Sequence, residues 1–188
     1  MGRVHQVVLI VSILMLSWSG MMVVHEFGHV LVAWWTGGTV TRVVLHPLAI
    51  SRTDVSPNPQ ALLVVWAGPM VGVLLPMAAW GVAAWTRLPG SYLLRFFAGF
   101  CLIANGAYIG IGEFDRVGDA GDLLRHGASR WHLWLFGIAT IPVGLLLWHR
   151  QGCYFGLGTA RGKVSERAAY ACLVGLVTII LLECHFSP

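Results

Sequence analysis

Long apolar runs separated by short polar segments constrain this chain more than any other feature. Hydrophobic residues make up 57% of it and charged residues 11%, which is far from the composition of a soluble domain. A helix needs roughly 20 predominantly apolar residues to cross a bilayer. Runs of about that length cover residues 7–35, 61–85, 93–112, 131–148 and 168–183. The sequence therefore predicts an all-α membrane protein, a polytopic bundle of about five transmembrane helices that is an integral, multi-pass component of the cell membrane.

The segment after the first run has the pattern of a strand pair. Residues 39–53 follow a glycine pair, contain β-branched residues in rough alternation, and lead into a cluster of Pro and Asn. We expect a short β-hairpin there, after the first helix. No internal repeat and no low-complexity linker divides the sequence, so we expect a single integral membrane domain over residues 1–188.

The charge distribution excludes one class of partner. Twelve Lys and Arg residues against eight Asp and Glu give a formal net charge of +4, but the basic residues are spread singly over the loops. No basic run can follow a phosphate backbone, so nucleic acid is not an expected partner, whereas the lipid bilayer is. The four cysteines are far apart and have no CxxC spacing, which favours packing roles over disulfides or a sulfur-ligated metal.

The N-terminal residues also resemble a cleavable signal peptide. Arg3 precedes an apolar stretch from Val7 to Leu16, and the small residues Ser17 and Ser19 follow it. The apolar run continues well past these serines to Trp35. We therefore expect a retained membrane helix.

Two histidines and a glutamate interrupt the first apolar run in the sequence HEFGH. On a helix turning about 100° per residue, His25 and His29 stand one turn apart on one face, so both rings can reach a single ion. Glu26 lies beside that ion and is placed to act as a general base. Ionisable groups in a membrane helix are costly and usually face a wet or metal-filled interior. The pattern predicts a zinc hydrolase site, with Zn²⁺ as the cofactor and an open position for water.

The third protein ligand has to come from elsewhere in the chain, because Val32 and Trp35 occupy the positions that soluble zinc proteases of the HExxHxxGxxH pattern give to Gly and His. Seven other acidic residues are available, and four of them cluster in residues 113–122. Within this cluster Asp119 is surrounded by small residues, which allow close approach to another helix. The candidates are Asp54, Glu113, Asp115, Asp119, Asp122, Glu166 and Glu183.

Two of these acidic residues are rivals to Asp119. Asp122 has Arg125 at salt-bridge spacing, and Asp54 lies among Ser, Pro and Asn residues that are typical of a turn. The residues alone leave the choice between Asp119 and Asp122 open.

Two motifs in this sequence resemble those of the site-2 protease family of intramembrane zinc metalloproteases, the M50 peptidases. HEFGH is similar to the family's HExxH motif, and Asp119 in "DAGDLLR" is similar to the aspartate of its downstream motif. "AGP" at residues 67–69 resembles a further family element. The sequence departs from the family at Gly72, where Asn is common, and has no Asn-Pro pair ahead of Asp119.

The resemblance implies a catalytic core over about residues 7–126 and accessory helices over about residues 131–183. It implies that His25, His29 and Asp119 bind the metal and that Glu26 is the catalytic residue. Asn105, in the third apolar run, is a candidate substrate-binding residue, with a plain interhelical hydrogen bond as the alternative.

We expect a membrane-embedded zinc metalloendopeptidase that hydrolyses peptide bonds in or near transmembrane segments of membrane-protein substrates. The alternative is a non-proteolytic membrane metal-binding protein in which the same His/His/Asp set has a structural or metal-handling role. A strand edge within residues 39–53 offers an unwound substrate a place to add by β-pairing, which is a further hypothesis.

Overall fold

The computed structural model describes residues 2–112, 114 and 117–186. Within these residues five helices are long and apolar enough to cross a membrane. In chain order the helices are α1 (Gly2–Trp35), α2 (Ala61–Trp85), α3 (Ser91–Ile111), α4 (Gly118–Arg125), α5 (Arg130–Trp148) and α6 (Glu166–Phe186). All except the short α4 are candidate spans. The protein is therefore an integral multi-pass membrane protein, and the predicted helical bundle is confirmed.

The hairpin predicted after the first helix is also confirmed. Strands β1 (Val40–Val44) and β2 (Arg52–Val55) pair in an antiparallel two-stranded sheet. The second strand ends two residues beyond the predicted 39–53 segment, and the backbone of Thr39 continues the pairing with hydrogen bonds to residues 56 and 57. The hairpin packs against α1, which brings it to the same end of that helix as HEFGH.

Glycines allow the central helices to approach closely. A Cβ added to Gly137 of α5 would lie 2.9 Å from the carbonyl oxygen of Gly106 in α3, and one added to Gly144 would lie 2.8 Å from that of Gly99. Lipid tails are as apolar as leucine, so close van der Waals contact between small residues is what holds membrane helices together. The closely packed α3–α5 pair therefore supports the residues that α3 presents to the rest of the bundle.

The N-terminal half of α1 contributes two residues to an apolar cluster. Leu9 and Ile13 are buried against Ala169 and Cys172 of α6 and against Phe155 in the loop before it. Leu9 lies sixteen residues before His25, which at about 1.5 Å per residue places this cluster roughly 24 Å along the helix from the histidines. The two ends of α1 are therefore packed independently.

Candidate metal centre

Helix α1 presents His25, Glu26 and His29 to the interior of the bundle. The side chains of His25 and His29 are buried, and their rings meet edge to face with centroids 4.9 Å apart. Glu26 is 3% exposed. The predicted one-turn spacing thus places both imidazoles on one face of the helix, inside the protein.

Asp119 completes the group from α4. Its Oδ2 atom lies 2.7 Å from Nε2 of His25 and 3.4 Å from Nε2 of His29. One ligand atom from each of the three residues lies within 4.8 Å of the other two, so a single ion can contact all of them. The structure therefore brings together the three residues that the sequence and the family resemblance predicted as metal ligands.

The rival acidic residues are engaged elsewhere. Asp122 forms a salt bridge of 2.6 Å with Arg125, and Asp54 forms one of 3.5 Å with Arg52. The two arginine side chains are largely exposed, and the two carboxylates are partly exposed. Two further residues of the acidic cluster, Glu113 and Asp115, lie outside the described residues.

The second nitrogen of each imidazole has an oxygen partner. Nδ1 of His25 donates to Oδ1 of Asn105 at 2.7 Å, and Nδ1 of His29 donates to the carbonyl oxygen of Val64 at 2.7 Å. The amide of Asn105 is oriented by its own donation from Nδ2 to the carbonyl oxygen of Cys101 at 2.9 Å. Each ring is therefore fixed in rotation by a partner on α2 or α3.

This hydrogen bonding fits a cation between the three side chains. A carbonyl oxygen only accepts, so both Nδ1 atoms carry protons and the neutral rings turn the Nε2 lone pairs towards Asp119. Two lone pairs and a carboxylate oxygen then converge on one point, which a positive ion stabilises. Metal-ligating histidines characteristically donate their other N–H to a carbonyl or carboxylate in this way.

Asn105 lies at the wall of the site and is 1% exposed. Both ends of its amide are used, one by His25 and the other by the backbone of α3. The bond between His25 of α1 and Asn105 of α3 is an interhelical hydrogen bond, which is the alternative to substrate binding that the sequence leaves open. A role for Asn105 in substrate binding stays a prediction.

Tyr108 of α3 and Gly118 of α4 determine the position of Asp119 relative to α3. The backbone N–H of Asp119 donates to the hydroxyl oxygen of Tyr108 at 3.1 Å, and the Tyr108 ring lies edge-on to His25 with centroids 5.9 Å apart. Gly118 has a φ of 61°, and a Cβ added to it would collide with the same hydroxyl, so a side chain there would be both strained and obstructed. The start of α4 is thus fixed against α3.

The carboxyl of Asp119 is held in its charged form. Burial alone would raise its pKa, but when Nε2 of His25 and His29 is protonated in place of a bound ion, hydrogen bonds and positive charge from the two imidazoles outweigh burial and hold the pKa well below its ordinary value. Asp119 is therefore ionised near neutral pH, as a metal ligand must be.

Gly68 in the "AGP" sequence makes room for the imidazoles. A Cβ at Gly68 would collide with Nε2 of His29 and lie 2.7 Å from Nε2 of His25. One turn further along α2, a Cβ at Gly72 would lie 2.9 Å from the amide of Asn105. The two glycines therefore let α2 lie directly against the predicted ligands, which also accounts for the absence of a larger side chain at Gly72.

A hydrogen bond from the hairpin reaches Glu26. Oγ1 of Thr53, in β2, donates to Oε2 of Glu26 at 2.7 Å. The side chains of His25, Glu26, His29 and Asp119 line one cavity of about 1130 Å³ between α1, α2, α3, α4 and the hairpin. A space of this size admits an extended peptide segment beside the candidate ligands.

Sequence reasoning did not identify Thr53, Tyr108 or the carbonyl of Val64 as parts of the site. Tyr108 follows Asn105 by three residues on α3, so helical spacing could have placed it on the same face. No signal in a single sequence indicates that Thr53 or the Val64 carbonyl lies against α1, because both contacts join segments that are distant in the chain.

The helical membrane bundle, the buried HExxH helix and the aspartate supplied by another helix agree with the resemblance to the site-2 protease family that the sequence motifs indicate. Residues 4–108 match the family model described as Peptidase M50B-like, which is a site-2 protease (M50) domain. Because the match covers more than half of the chain, the protein belongs to this family. Searches of curated proteins and of solved structures gave no match. The matched range contains HEFGH but ends before Asp119, so the position of this aspartate rests on the geometry.

Proposed function

We propose that this protein is an intramembrane zinc metalloprotease that hydrolyses peptide bonds in or near transmembrane segments of other membrane proteins. The single observation that carries the proposal is the convergence of His25, His29 and Asp119 beside the buried carboxylate of Glu26, inside a membrane bundle. Membership of a metallopeptidase family supports it.

Zinc fits the donor set. Two imidazole nitrogens and one carboxylate oxygen, here from His25, His29 and Asp119, would hold the ion, and catalytic zinc sites of this kind keep one further position for water or substrate. When bound, zinc supplies Lewis-acid chemistry, which acidifies water and polarises a peptide carbonyl.

The remaining roles belong to the chain's own residues. His25, His29 and Asp119 hold the ion, and their hydrogen bonds to Asn105 and to the Val64 carbonyl keep the two rings oriented. The Glu26 carboxylate takes a proton from the attacking water and delivers it to the leaving amine nitrogen, as a general base and then a general acid.

Substrate binding is proposed at the hairpin. A transmembrane helix satisfies its own backbone hydrogen bonds, so a substrate must unwind before its peptide bond can be attacked. Strands β1 and β2 lie beside the cavity and have edges on which an extended segment can pair. Proline substitutions along the pairing edge are expected to raise KM, and unchanged cleavage in all of them would exclude this mode of binding.

The test compares the wild-type protein with Glu26→Gln, both purified in detergent. The probe is a set of fluorophore-labelled single-span peptides whose apolar stretch carries a Gly-Pro pair that eases local unwinding. We expect cleavage by the wild type, a loss of at least about 10³-fold in Glu26→Gln, and equal metal content in both.

The same experiment distinguishes the proposed protease from a non-proteolytic metal-binding protein. A purely structural or metal-handling site has no need of a base, so a wild type that binds metal and cleaves none of the peptides would contradict the proposal. Equal cleavage by wild type and Glu26→Gln would also contradict it, because the chemistry would then lie elsewhere.

A further inference from the structure

The structure assigns Thr53 of the hairpin as a positioning residue for Glu26, an assignment that rests on the proposed function. The contact is direct, because Oγ1 of Thr53 donates to Oε2 of Glu26 at 2.7 Å. A hydrogen bond to an ionised carboxylate is shorter and stronger than one between neutral groups. Glu26 is 3% exposed, so few other groups can take over this bond.

The side chain of Thr53 faces α1, where it reaches Glu26. Its neighbours Arg52 and Asp54 pair with each other at 3.5 Å, with 60% and 46% of their side chains exposed. Successive side chains of a strand point to opposite faces, so Thr53 points the other way, towards the helix. Pairing of Thr53 with Val43 of β1 fixes its position along the strand.

The hydrogen bond to Oε2 of Glu26 leaves Oε1 as the oxygen that can act as the base. A glutamate side chain has three rotatable bonds, and a base must be held within a fraction of an ångström of its working position. With Oε2 held by the hydroxyl of Thr53, Oε1 is the oxygen left to take the proton. In this scheme Thr53 acts through Glu26 and not directly on the ion or on the reacting atoms.

The contact also joins the base to the proposed substrate-binding element. Thr53 belongs to the hairpin on which we place the substrate, whereas Glu26 belongs to α1. A segment that pairs with the hairpin and shifts β2 therefore shifts the base as well. Correct docking of a substrate and correct placement of the base become one event.

The activity test uses Thr53→Val, which keeps the β-branched shape and removes the hydroxyl, and Thr53→Ser, which restores it. We expect kcat to fall on the order of tenfold or more in Thr53→Val, with KM within about twofold, and to recover in Thr53→Ser. Thr86→Val is the matched control, because its hydroxyl bonds to the backbone of α2 away from the site. An active wild type with an equally active Thr53→Val, or a Thr53→Ser as impaired as Thr53→Val, would overturn the assignment.

A second readout does not depend on activity. The apparent Tm is measured for wild type, Thr53→Val, Glu26→Ala and the double variant, with metal content recorded for each. We expect Thr53→Val to lower Tm by at least about 2 °C more in the wild-type background than in Glu26→Ala, because the bond is present only in the former. Equal losses in both backgrounds would overturn the assignment. Clear coupling in a protein that cleaves no peptide would overturn the proposed function while retaining the Thr53–Glu26 bond.

Discussion

The two halves of α1 are both apolar and both lie within one membrane helix, but they are packed in different ways. The N-terminal half buries Leu9 and Ile13 among apolar residues of α6 and the preceding loop. The C-terminal half buries His25, Glu26 and His29. Each of these three polar side chains has a hydrogen-bond partner on another element.

The difference shows what a polar site in a membrane bundle requires. Apolar packing needs only shape, and many side chains of similar volume can provide it. A buried imidazole or carboxylate also needs a partner for each polar atom, because an unpaired one is costly in a medium without water. Gly68 and Gly72 provide the space for these partners by letting α2 approach closely. We therefore expect substitutions in the two halves to have separable effects, on metal binding in one and on stability in the other.

The largest effect on the site is expected from Gly68→Ala. The new Cβ would collide with Nε2 of His29 and press on Nε2 of His25, so at least one imidazole must turn away from the ion. Metal analysis of the purified variant should show loss of bound metal, and peptide cleavage should be abolished. Gly81→Ala, in the same helix, is the control, because a Cβ at that position meets nothing within 4 Å. Full metal content in Gly68→Ala would show that the two imidazoles do not bind through Nε2.

The next largest effect is expected from Asn105→Leu. The substitution removes the acceptor for Nδ1 of His25, so the ring loses its fixed orientation and tautomer. Loss of the group that accepts the second N–H of a metal-ligating histidine typically lowers metal affinity by about 10- to 100-fold. Competition with a chelator of known affinity measures this directly. An unchanged zinc affinity would mean that the hydrogen bond does not orient the ring, and would return Asn105 to its predicted role in substrate binding.

A smaller effect is expected from Tyr108→Phe. The hydroxyl accepts the backbone N–H of Asp119, and its removal loosens the start of α4 while the ring still packs on His25. We expect metal affinity to fall by about 3- to 10-fold, in line with the loss of roughly 1 kcal/mol of hydrogen bonding. The same chelator competition measures it. A loss as large as that of an Asp119 substitution would show that Tyr108 contacts the ion itself.

No effect on the metal is expected from Leu9→Ala in the other half of α1. Leu9 is fully buried, so the cavity left by truncation should lower the free energy of unfolding by about 2 to 5 kcal/mol, observed as a lower Tm in detergent. Val7→Ala is the control, because Val7 is 60% exposed. Loss of metal in Leu9→Ala at a temperature where the protein is folded would show that the two halves of α1 are not independent.

The helices and the hairpin were largely predictable from the sequence. Spans expected at 61–85 and 131–148 are found at Ala61–Trp85 and Arg130–Trp148, because uninterrupted apolar length is a local property that the bilayer enforces. The short α4 was not predicted as a helix. Its eight residues carry charges and glycines, and its start is bonded to α3 by the Asp119 N–H and the Tyr108 hydroxyl, a contact that local pattern does not reveal.

The site was predictable only in part. The HEFGH motif alone predicts the relative position of its histidines, because two residues four apart in a helix lie on one face whatever surrounds them. Asp119 could be selected from its rivals only with the family resemblance, and Thr53 could not be found at all. Such partners depend on the rotation and depth of one element against another, which are set by the packing of the whole bundle.

We propose that His25, His29 and Asp119 together bind one divalent ion. The most direct test is the metal content of the protein purified after growth with zinc, with Asp119→Ala compared with Asp122→Ala. We predict about one zinc per chain in the wild type and in Asp122→Ala, and none in Asp119→Ala, since a three-ligand site needs each of its ligands. Zinc retained in Asp119→Ala, or lost equally in both variants, would contradict the account.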